Sequence, residues 1–367
     1  MDVEYTRRLE KIEAVLERWL PEGPDAAWAG RVFPGLEGRV PENCLASLAG
    51  PCRDLLSRGG KRWRPLLMVL VCESLGGGQA ALPLVPLVEF CHNASLIHDD
   101  IEDGSDRRRG KPAVHLIHGL DTAINSGSFF YFLPLSCLGA WEAPAEQKEA
   151  VFAVWGEYMR RLHLGQAMDI HWHRNFESLP SLDEYYTMCG LKTGCLARLA
   201  AVLGVLSAIP GGEAGERARR DRAVLALGEA AEKLGIGFQI LDDVKNLSTG
   251  LPGKRRGDDV VEGKKSLPVL LYLHGAGKNA GASRRSFEER GELAARCFTG
   301  ARKGGPSAPE VEELIAQLDA AGTLEQARER GLALIREAVA VLSGDSAAFA
   351  PGGEGRRLLG GLADLIS

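Results

Sequence analysis

Residues 82–103 read LPLVPLVEFCHNASLIHDDIED. Apolar residues dominate from Leu82 to Ile97, and the segment then closes on Asp99, Asp100 and Asp103. On a helix, Asp99 and Asp103 stand four residues apart on one face, one turn above the other. A second segment repeats the pattern: Leu234–Leu241 is apolar, and Asp242, Asp243 and Asn246 follow, Asp242 and Asn246 again four apart. Elsewhere apolar residues recur at i, i+3, i+4 and i+7 with Gly and Pro between the runs, and sustained period-2 alternation is hard to find. The patterning predicts an all-α fold, with helices near 3–20, 41–57, 63–75, 83–103, 121–139 and 146–174. Further helices are expected near 181–208, 221–247, 266–274, 286–298, 309–320, 323–343 and 354–366. Residues 1–367 read as a single domain with a variable connector near 275–308.

Acidic helix ends are common as solvated surface, and one DDxxD alone leaves that reading open. Stacked carboxylates work against their own helix by roughly 0.2–0.5 kcal/mol per pair. Burial without a partner costs several times more. Two such clusters at the rims of apolar helices make sense if cations neutralise both. Mg²⁺ suits, because it prefers oxygen ligands, keeps several waters, and takes one or two carboxylates together with substrate phosphates.

Basic residues accompany both clusters. Gly59-Gly60-Lys61-Arg62-Trp63-Arg64-Pro65 opens a helix with two glycines and three cations, an arrangement suited to an anion. Arg107-Arg108-Arg109-Gly110 follows the first acidic motif closely. It reads either as a structural ion-pair network or as an arginine fork for phosphate. Gln166 and Asp169, Lys192-Thr193-Gly194, and Gln239 interrupt apolar helical stretches, and Lys254, Arg255, Arg256 and Lys264 follow the second motif. Together they supply anion donors around two metal clusters. His115/His118 and His171/His173 hint at zinc only weakly, without HExxH or a third ligand. No GxSxG, Walker-A or strand-linked GxGxxG sequence is present.

Composition narrows the class. Of 367 residues, 45% are hydrophobic and 25% charged, the proportions of a globular protein. Lys+Arg total 44 against Asp+Glu 49, a net charge of -5 that argues against nucleic acid as a partner. The eight cysteines form no C-x-x-C pair and read as buried free thiols of a cytoplasmic protein. No membrane span is expected, since the longest apolar stretches, such as 66–72 and 199–209, fall short of roughly 18 residues.

In order and spacing, GGKRWRP, HNASLIHDDIEDGSDRRRGKPAVH, GQAMDI, LKTG and GFQILDDVKNL…GDDVVEGK resemble the trans-isoprenyl diphosphate synthases, or polyprenyl synthetases. The resemblance covers about residues 55–275 and is greatest to geranylgeranyl diphosphate synthases of the animal and fungal type. It implies about ten core helices around a deep apolar cavity, a homodimer, and head-to-tail addition of isopentenyl diphosphate to an allylic diphosphate. It implies Asp99 and Asp103 as ligands of two Mg²⁺ ions and Asp242 of a third, all bridging to the allylic diphosphate, with Asp100, Asp243 and Asn246 in support. Arg108, Lys192, Thr193, Gln239 and Lys264 would hold that diphosphate, with Asp169 near Lys192. Lys61, Arg64, His92 and Arg109 would bind isopentenyl diphosphate. Two departures stand out: Asn246 replaces a third aspartate, and GLPGKRRGDD fits the usual lysine-glycine pattern loosely, so that Lys254 or Arg255 takes the lysine's place.

Product length follows from pocket depth. Ala94 and Ser95, five and four positions before Asp99, are small, so no aromatic plug shortens the tail there. Phe129, Phe130 or Tyr131 would form a deeper floor. A C20 product is expected, with C15 as the alternative. Rival readings are a catalytically silent regulatory subunit, which would usually lose an aspartate cluster, and a terpene cyclase, which generally lacks the second diphosphate anchor.

Overall fold

The computed structural model describes residues 3–175, 178–250, 255–277, 286–344 and 353–366. Helices run at Val3–Trp19 (α1), Ala26–Val32 (α2), Glu42–Ser57 (α3), Trp63–Ser74 (α4), Pro86–Glu102 (α5), Val114–His118 (α6) and Leu120–Phe132 (α7). They continue at Leu135–Ala140 (α8), Ala145–Arg174 (α9), Leu182–Cys189 (α10), Cys195–Ala208 (α11), Ala214–Ser248 (α12) and Asp258–Glu262 (α13). Leu267–Leu273 (α14), Phe287–Gly304 (α15), Pro309–Ala320 (α16), Thr323–Ser343 (α17), Glu354–Gly360 (α18) and Leu362–Ile366 (α19) complete them. Among the described residues the only sheet is a hairpin, Arg107–Arg108 (β1) against Lys111–Pro112 (β2). The all-α expectation holds.

Contacts divide the chain into two compact units. The first comprises Met1–Tyr158, Leu196–Ala231 and Val339–Ser367. At its centre is α4, buried at every position from Pro65 to Cys72, as expected of a helix that is apolar all round. Helix α18 lies against it: a Cβ at Gly355 would come within 2.9 Å of the Leu70 carbonyl, so only glycine allows this approach. Arg8 of α1 ties the edge together through Glu73 and Glu354, both at 2.8 Å. Helices α5 and α7 also pack closely, with Gly127 leaving room for the His98 ring.

The second unit comprises Met159–Cys195 and Glu232–Ala338. One apolar cluster joins Trp172, Tyr185, Met188, Ile240, Val244 and α14. Another joins α14 to α15 and α16 through Tyr272, Leu293, Phe298, Val311 and Leu314.

Several boundaries differ from the sequence reading. The helix expected over 121–139 breaks at Pro134, between α7 and α8, because proline has no N–H to donate. A 3₁₀ turn at Leu82–Leu84 precedes α5, and Pro86 takes the first helical position. The stretch 181–208 is helical but widens into a π turn at Gly190–Gly194. Helix α12 begins earlier than expected, at Ala214, and the terminal helix divides at Gly361. The connector near 275–308 contains the 18-residue α15, started by a capping box at Ser286 and Glu289; residues 278–285 lie outside the described residues. Helix α2, with Asp25 capping the Trp28 N–H at 2.7 Å, and the short α6 and α13 were not expected.

Two further observations bear on the sequence reading. Leu182–Ala208 is long and apolar enough to cross a membrane, although 78% of its most apolar window is buried inside the protein, as in a core helix. Seven cysteines are buried, but Cys44 is exposed.

Candidate active site

In the first unit the acidic end of α5 meets the hairpin. The hairpin turn places both Arg109 (φ 51°) and Gly110 (φ 77°) at positive φ, the geometry that matches strand twist in a two-residue connection. β1 thereby directs Arg108 back to α5. Its Nε donates to Asp100 Oδ1 at 2.8 Å, and its Nη2 donates to Asp100 Oδ1 at 2.5 Å and to Asp99 Oδ2 at 3.2 Å. Asp100 is wholly buried, while the Asp99 side chain keeps 17% of its surface exposed. Burial opposes the charge on Arg108, but Asp100 and Asp99 outweigh it and hold the guanidinium ionised. In this structure the ion-pair reading of the arginine run therefore applies to Arg108. Arg107 instead closes its own turn on the Gly110 carbonyl at 2.7 Å.

The glycine-rich stretch before α4 lies beside the same hairpin. Gly59 (φ 82°) and Gly60 (φ 142°) adopt conformations open to glycine, and a Cβ at Gly60 would approach the Arg109 guanidinium to 3.3 Å. Arg109 donates to the carbonyls of Gly59 and Leu55 and, at 3.2 Å, to Asn93 Oδ1. Burial is the main cause that pushes its pKa down to about 10. Arg64 lies 3.4 Å from His92 Nε2 and stacks over Trp63. Burial, then Arg64 and Arg109, lower the His92 pKa well below the usual histidine range, so its ring is neutral. Lys61 is exposed. Arg62, the middle cation of the motif, departs from the expected anion site: it turns inward and pairs with Glu89 at 2.9 Å and Glu13 at 2.8 Å.

In the second unit the π turn carries Lys192 and Thr193. Glycines admit it between helices: a Cβ at Gly165 of α9 would sit 2.4 Å from the Lys192 backbone nitrogen, and one at Gly194 3.0 Å from the Glu232 carbonyl. Lys192 Nζ donates to Asp169 Oδ2 at 2.5 Å. Burial alone would raise the Asp169 pKa, but Lys192 and Lys264 hold it below the ordinary carboxylate range. Thr193 donates to Gln239 at 2.8 Å, Gln239 donates to Asp243 at 2.8 Å, and Tyr185 donates to the other Asp243 oxygen at 2.9 Å. Burial and nearby Asp259 push the Asp243 pKa up to about 7.

Six of the expected residues, Asp169, Lys192, Thr193, Gln239, Asp243 and Lys264, line one cleft in this unit. Lys264 reaches Glu262 at 2.6 Å. Asn246 does not join them: it is 1% exposed, and its Oδ1 accepts the Asp259 N–H at 3.2 Å. That bond secures the chain entering α13, while the buried Asn246 Nδ2 has no hydrogen-bond partner among the described residues. Asp242 is exposed, so the expectation that both acidic clusters avoid solvent fails for it and holds for Asp99. Arg255 is exposed, and Lys254 lies outside the described residues. Ala94 is fully buried, and half-buried Ser95 donates to the His92 carbonyl at 2.8 Å. Phe130 packs on Phe90, Phe129 on Phe33, and Tyr131 on His98.

Tyr185, Asn93 and the hairpin itself were missed by sequence reasoning. Among the described residues, no group of three or more His, Cys, Asp or Glu converges as a metal cage. The carboxylates of Asp99 and Asp103 in the first unit, and separately that of Asp242 in the second, are oxygen donors of the kind a hard cation takes while keeping water and phosphate in its shell. Gly165→Ala tests the close approach in the second unit. The added methyl group should displace the Lys192 turn and weaken binding of inorganic diphosphate about tenfold or more, measured by calorimetry; unchanged affinity would contradict the turn's role.

Comparison with known proteins agrees with this chemistry. The polyprenyl synthetase family model matches residues 46–295. A geranylfarnesyl diphosphate synthase of Aeropyrum pernix is 34% identical over 239 residues, covering 63% of this chain and 72% of that protein. A geranylgeranyl pyrophosphate synthase of Geoglobus acetivorans is 32% identical over 325 residues, covering 88% of this chain and 84% of that one. A solved geranylgeranyl pyrophosphate synthetase from Pyrococcus horikoshii superposes with a TM-score of 0.72 at 27% identity, over 98% of both chains. With the family's motifs folded as described, the chain belongs to the polyprenyl synthetases, the trans-prenyltransferases of the isoprenoid-synthase fold.

Proposed function

We propose that this trans-prenyltransferase extends an allylic diphosphate with isopentenyl diphosphate, in the presence of Mg²⁺, to the C20 product geranylgeranyl diphosphate. The observation that carries the reading is the presence of two distinct sets of cations in the first unit. Arg108, paired with Asp99 and Asp100, marks one and would turn to diphosphate once metal ions neutralise those carboxylates; Arg109 and Arg64, with the neutral His92 ring, form the other beside the glycine turn. One diphosphate needs one set; two sets argue for two diphosphates and against a cyclase. Retention of both acidic clusters argues against a silent subunit. The geranylfarnesyl and geranylgeranyl synthases among the relatives favour a long-chain product over C15.

Each side chain then has a task. Asp99, Asp103 and Asp242 would hold the metal ions, three in number as the resemblance of the motifs implies, and bound Mg²⁺ would neutralise charge developing on the leaving diphosphate. Arg108, Lys192, Thr193, Gln239 and Lys264 hold the allylic diphosphate, with Asp169 keeping Lys192 in place. Lys61, Arg64, His92 and Arg109 anchor isopentenyl diphosphate and fix its approach. The allylic C–O bond breaks, its electron pair leaving with diphosphate. The isopentenyl double bond then attacks the allylic carbon, and a proton leaves to the departing diphosphate. Cations aimed at the leaving group favour the transition state over the ground state.

We also infer a homodimer that works in the cytoplasm. Leu116, Ile117, Leu120, Ile124 and Phe132 form an exposed apolar row along α6 and α7, with Phe152 also exposed. The cysteines form no disulfide, which fits a reducing compartment. Sedimentation should give twice the chain mass and Phe132→Glu should shift it toward monomer; a monomeric wild type would contradict the dimer.

The principal test incubates the enzyme with Mg²⁺, labelled isopentenyl diphosphate and dimethylallyl, geranyl or farnesyl diphosphate in turn. A C20 product that disappears on metal chelation is expected, and absence of incorporation would contradict the function. Ser95→Phe should move the main product to C15; an unchanged product length would contradict the assignment of Ala94 and Ser95 to the chain-length pocket.

A further inference from the structure

The hairpin that carries Arg108 and Arg109 is too short to hold its own shape. Each strand has two residues, paired as Arg107 with Pro112 and Arg108 with Lys111. An isolated two-stranded hairpin is marginal in water even when longer. Its turn also holds a non-glycine residue, Arg109, at φ 51°, where L residues are disfavoured. A fixed guanidinium at Arg108 therefore requires support from outside the ladder.

Arg58, at the end of α3, supplies it. Asp54 takes one edge of the guanidinium in a bidentate grip, Nε to Oδ1 at 3.0 Å and Nη2 to Oδ2 at 2.7 Å. That leaves Nη1 aimed at the hairpin, where it donates to the Arg108 carbonyl at 3.1 Å and to the Pro112 carbonyl at 2.9 Å. One carbonyl comes from each strand. The Arg58 side chain is 0% exposed, so the guanidinium itself is shielded from water, although the Pro112 carbonyl it reaches lies at the surface. His118 Nε2 lies 3.1 Å from Asp54 Oδ2 and steadies the carboxylate from α6. Arg58 follows Asp54 by one helical turn, which lets the pair form before the hairpin docks.

We propose that Arg58 is a positioning residue that, oriented by Asp54, clamps both strands of the hairpin and so presents Arg108 and Arg109 preformed to the two diphosphate groups. The inference rests on the reading of those arginines as diphosphate ligands. Because they are adjacent on one hairpin, loosening the clamp weakens both substrates together. A merely structural role would lower the amount of active enzyme, reducing apparent kcat and leaving KM unchanged.

The test compares steady-state kinetics and thermal unfolding of wild type, Arg58→Gln, Arg58→Lys and Asp54→Asn. Arg58→Gln should raise KM for isopentenyl and allylic diphosphate in parallel, each about tenfold, with a smaller effect on kcat. Arg58→Lys should fall between it and wild type, and Asp54→Asn should show a lesser parallel rise. If Arg58→Gln does not fold, Asp54→Asn decides, because it keeps the guanidinium and releases only its orientation. Unchanged KM values in the folded variants would overturn the clamp. If wild type elongates none of the three primers, the functional reading fails, and Kd for inorganic diphosphate with Mg²⁺ replaces KM. A weaker Kd in the variants upholds the clamp, and an equal Kd, or no binding by wild type, overturns it.

Discussion

A carboxylate buried as completely as Asp100 keeps its charge only if a cation comes to it, and the first unit is arranged around that requirement. The cation is Arg108, whose fork reaches Asp99 and Asp100 from a hairpin only two residues deep. Its delivery depends on the strained turn at Arg109 and Gly110 and on the Arg58 clamp. Removing one partner of such a pair leaves an uncompensated charge, at a cost of about 3–5 kcal/mol, far more than the net worth of the intact pair. The arrangement therefore fixes geometry more than it adds stability. It leaves Asp99, at the partly exposed end, accessible to an incoming ion.

The second unit meets a similar demand by different means. Asp169 is buried and held ionised by Lys192 and Lys264, and Lys192 reaches it because a π turn and the glycines Gly165 and Gly194 let the backbone pass between helices. Widened turns of this kind recur at functional sites, where an added residue re-aims a side chain at the expense of regular hydrogen bonding. The relay from Thr193 through Gln239 to Asp243 fixes hydroxyl and amide orientations in the same cleft. Asp169, Lys192, Thr193, Gln239 and Asp243 sit on helical segments with their side chains held by neighbours, so little ordering would remain for a ligand to induce.

The two acidic motifs, the Lys192-Thr193 segment and most long helices were legible because their information is local: spacing of four, helical period, and polar residues breaking apolar runs. Residues whose fate depends on partners distant in sequence were not. Nothing local separates the inward Arg62 from exposed Lys61; the left-handed turn and Glu89 decide it. Asn246 was expected to support the metal ligands, and nothing local shows that the returning chain at Asp259 engages its side-chain oxygen. The hairpin was too short to give a period, while the break at Pro134 and the Asp25 cap carried readable signals that helical periodicity overrode. The helix near 181–208 was expected, but its full apolar length was not counted because Lys192 interrupts the run.

The central claim is that the acidic clusters bind diphosphate only through divalent cations, since carboxylates alone repel it. Calorimetric titration of the whole protein with inorganic diphosphate, with and without Mg²⁺, tests this directly. The account predicts binding in the presence of Mg²⁺, none measurable after chelation, and marked weakening in both Asp99→Asn and Asp242→Asn. Equal affinity with and without the metal, undiminished in both variants, would contradict it.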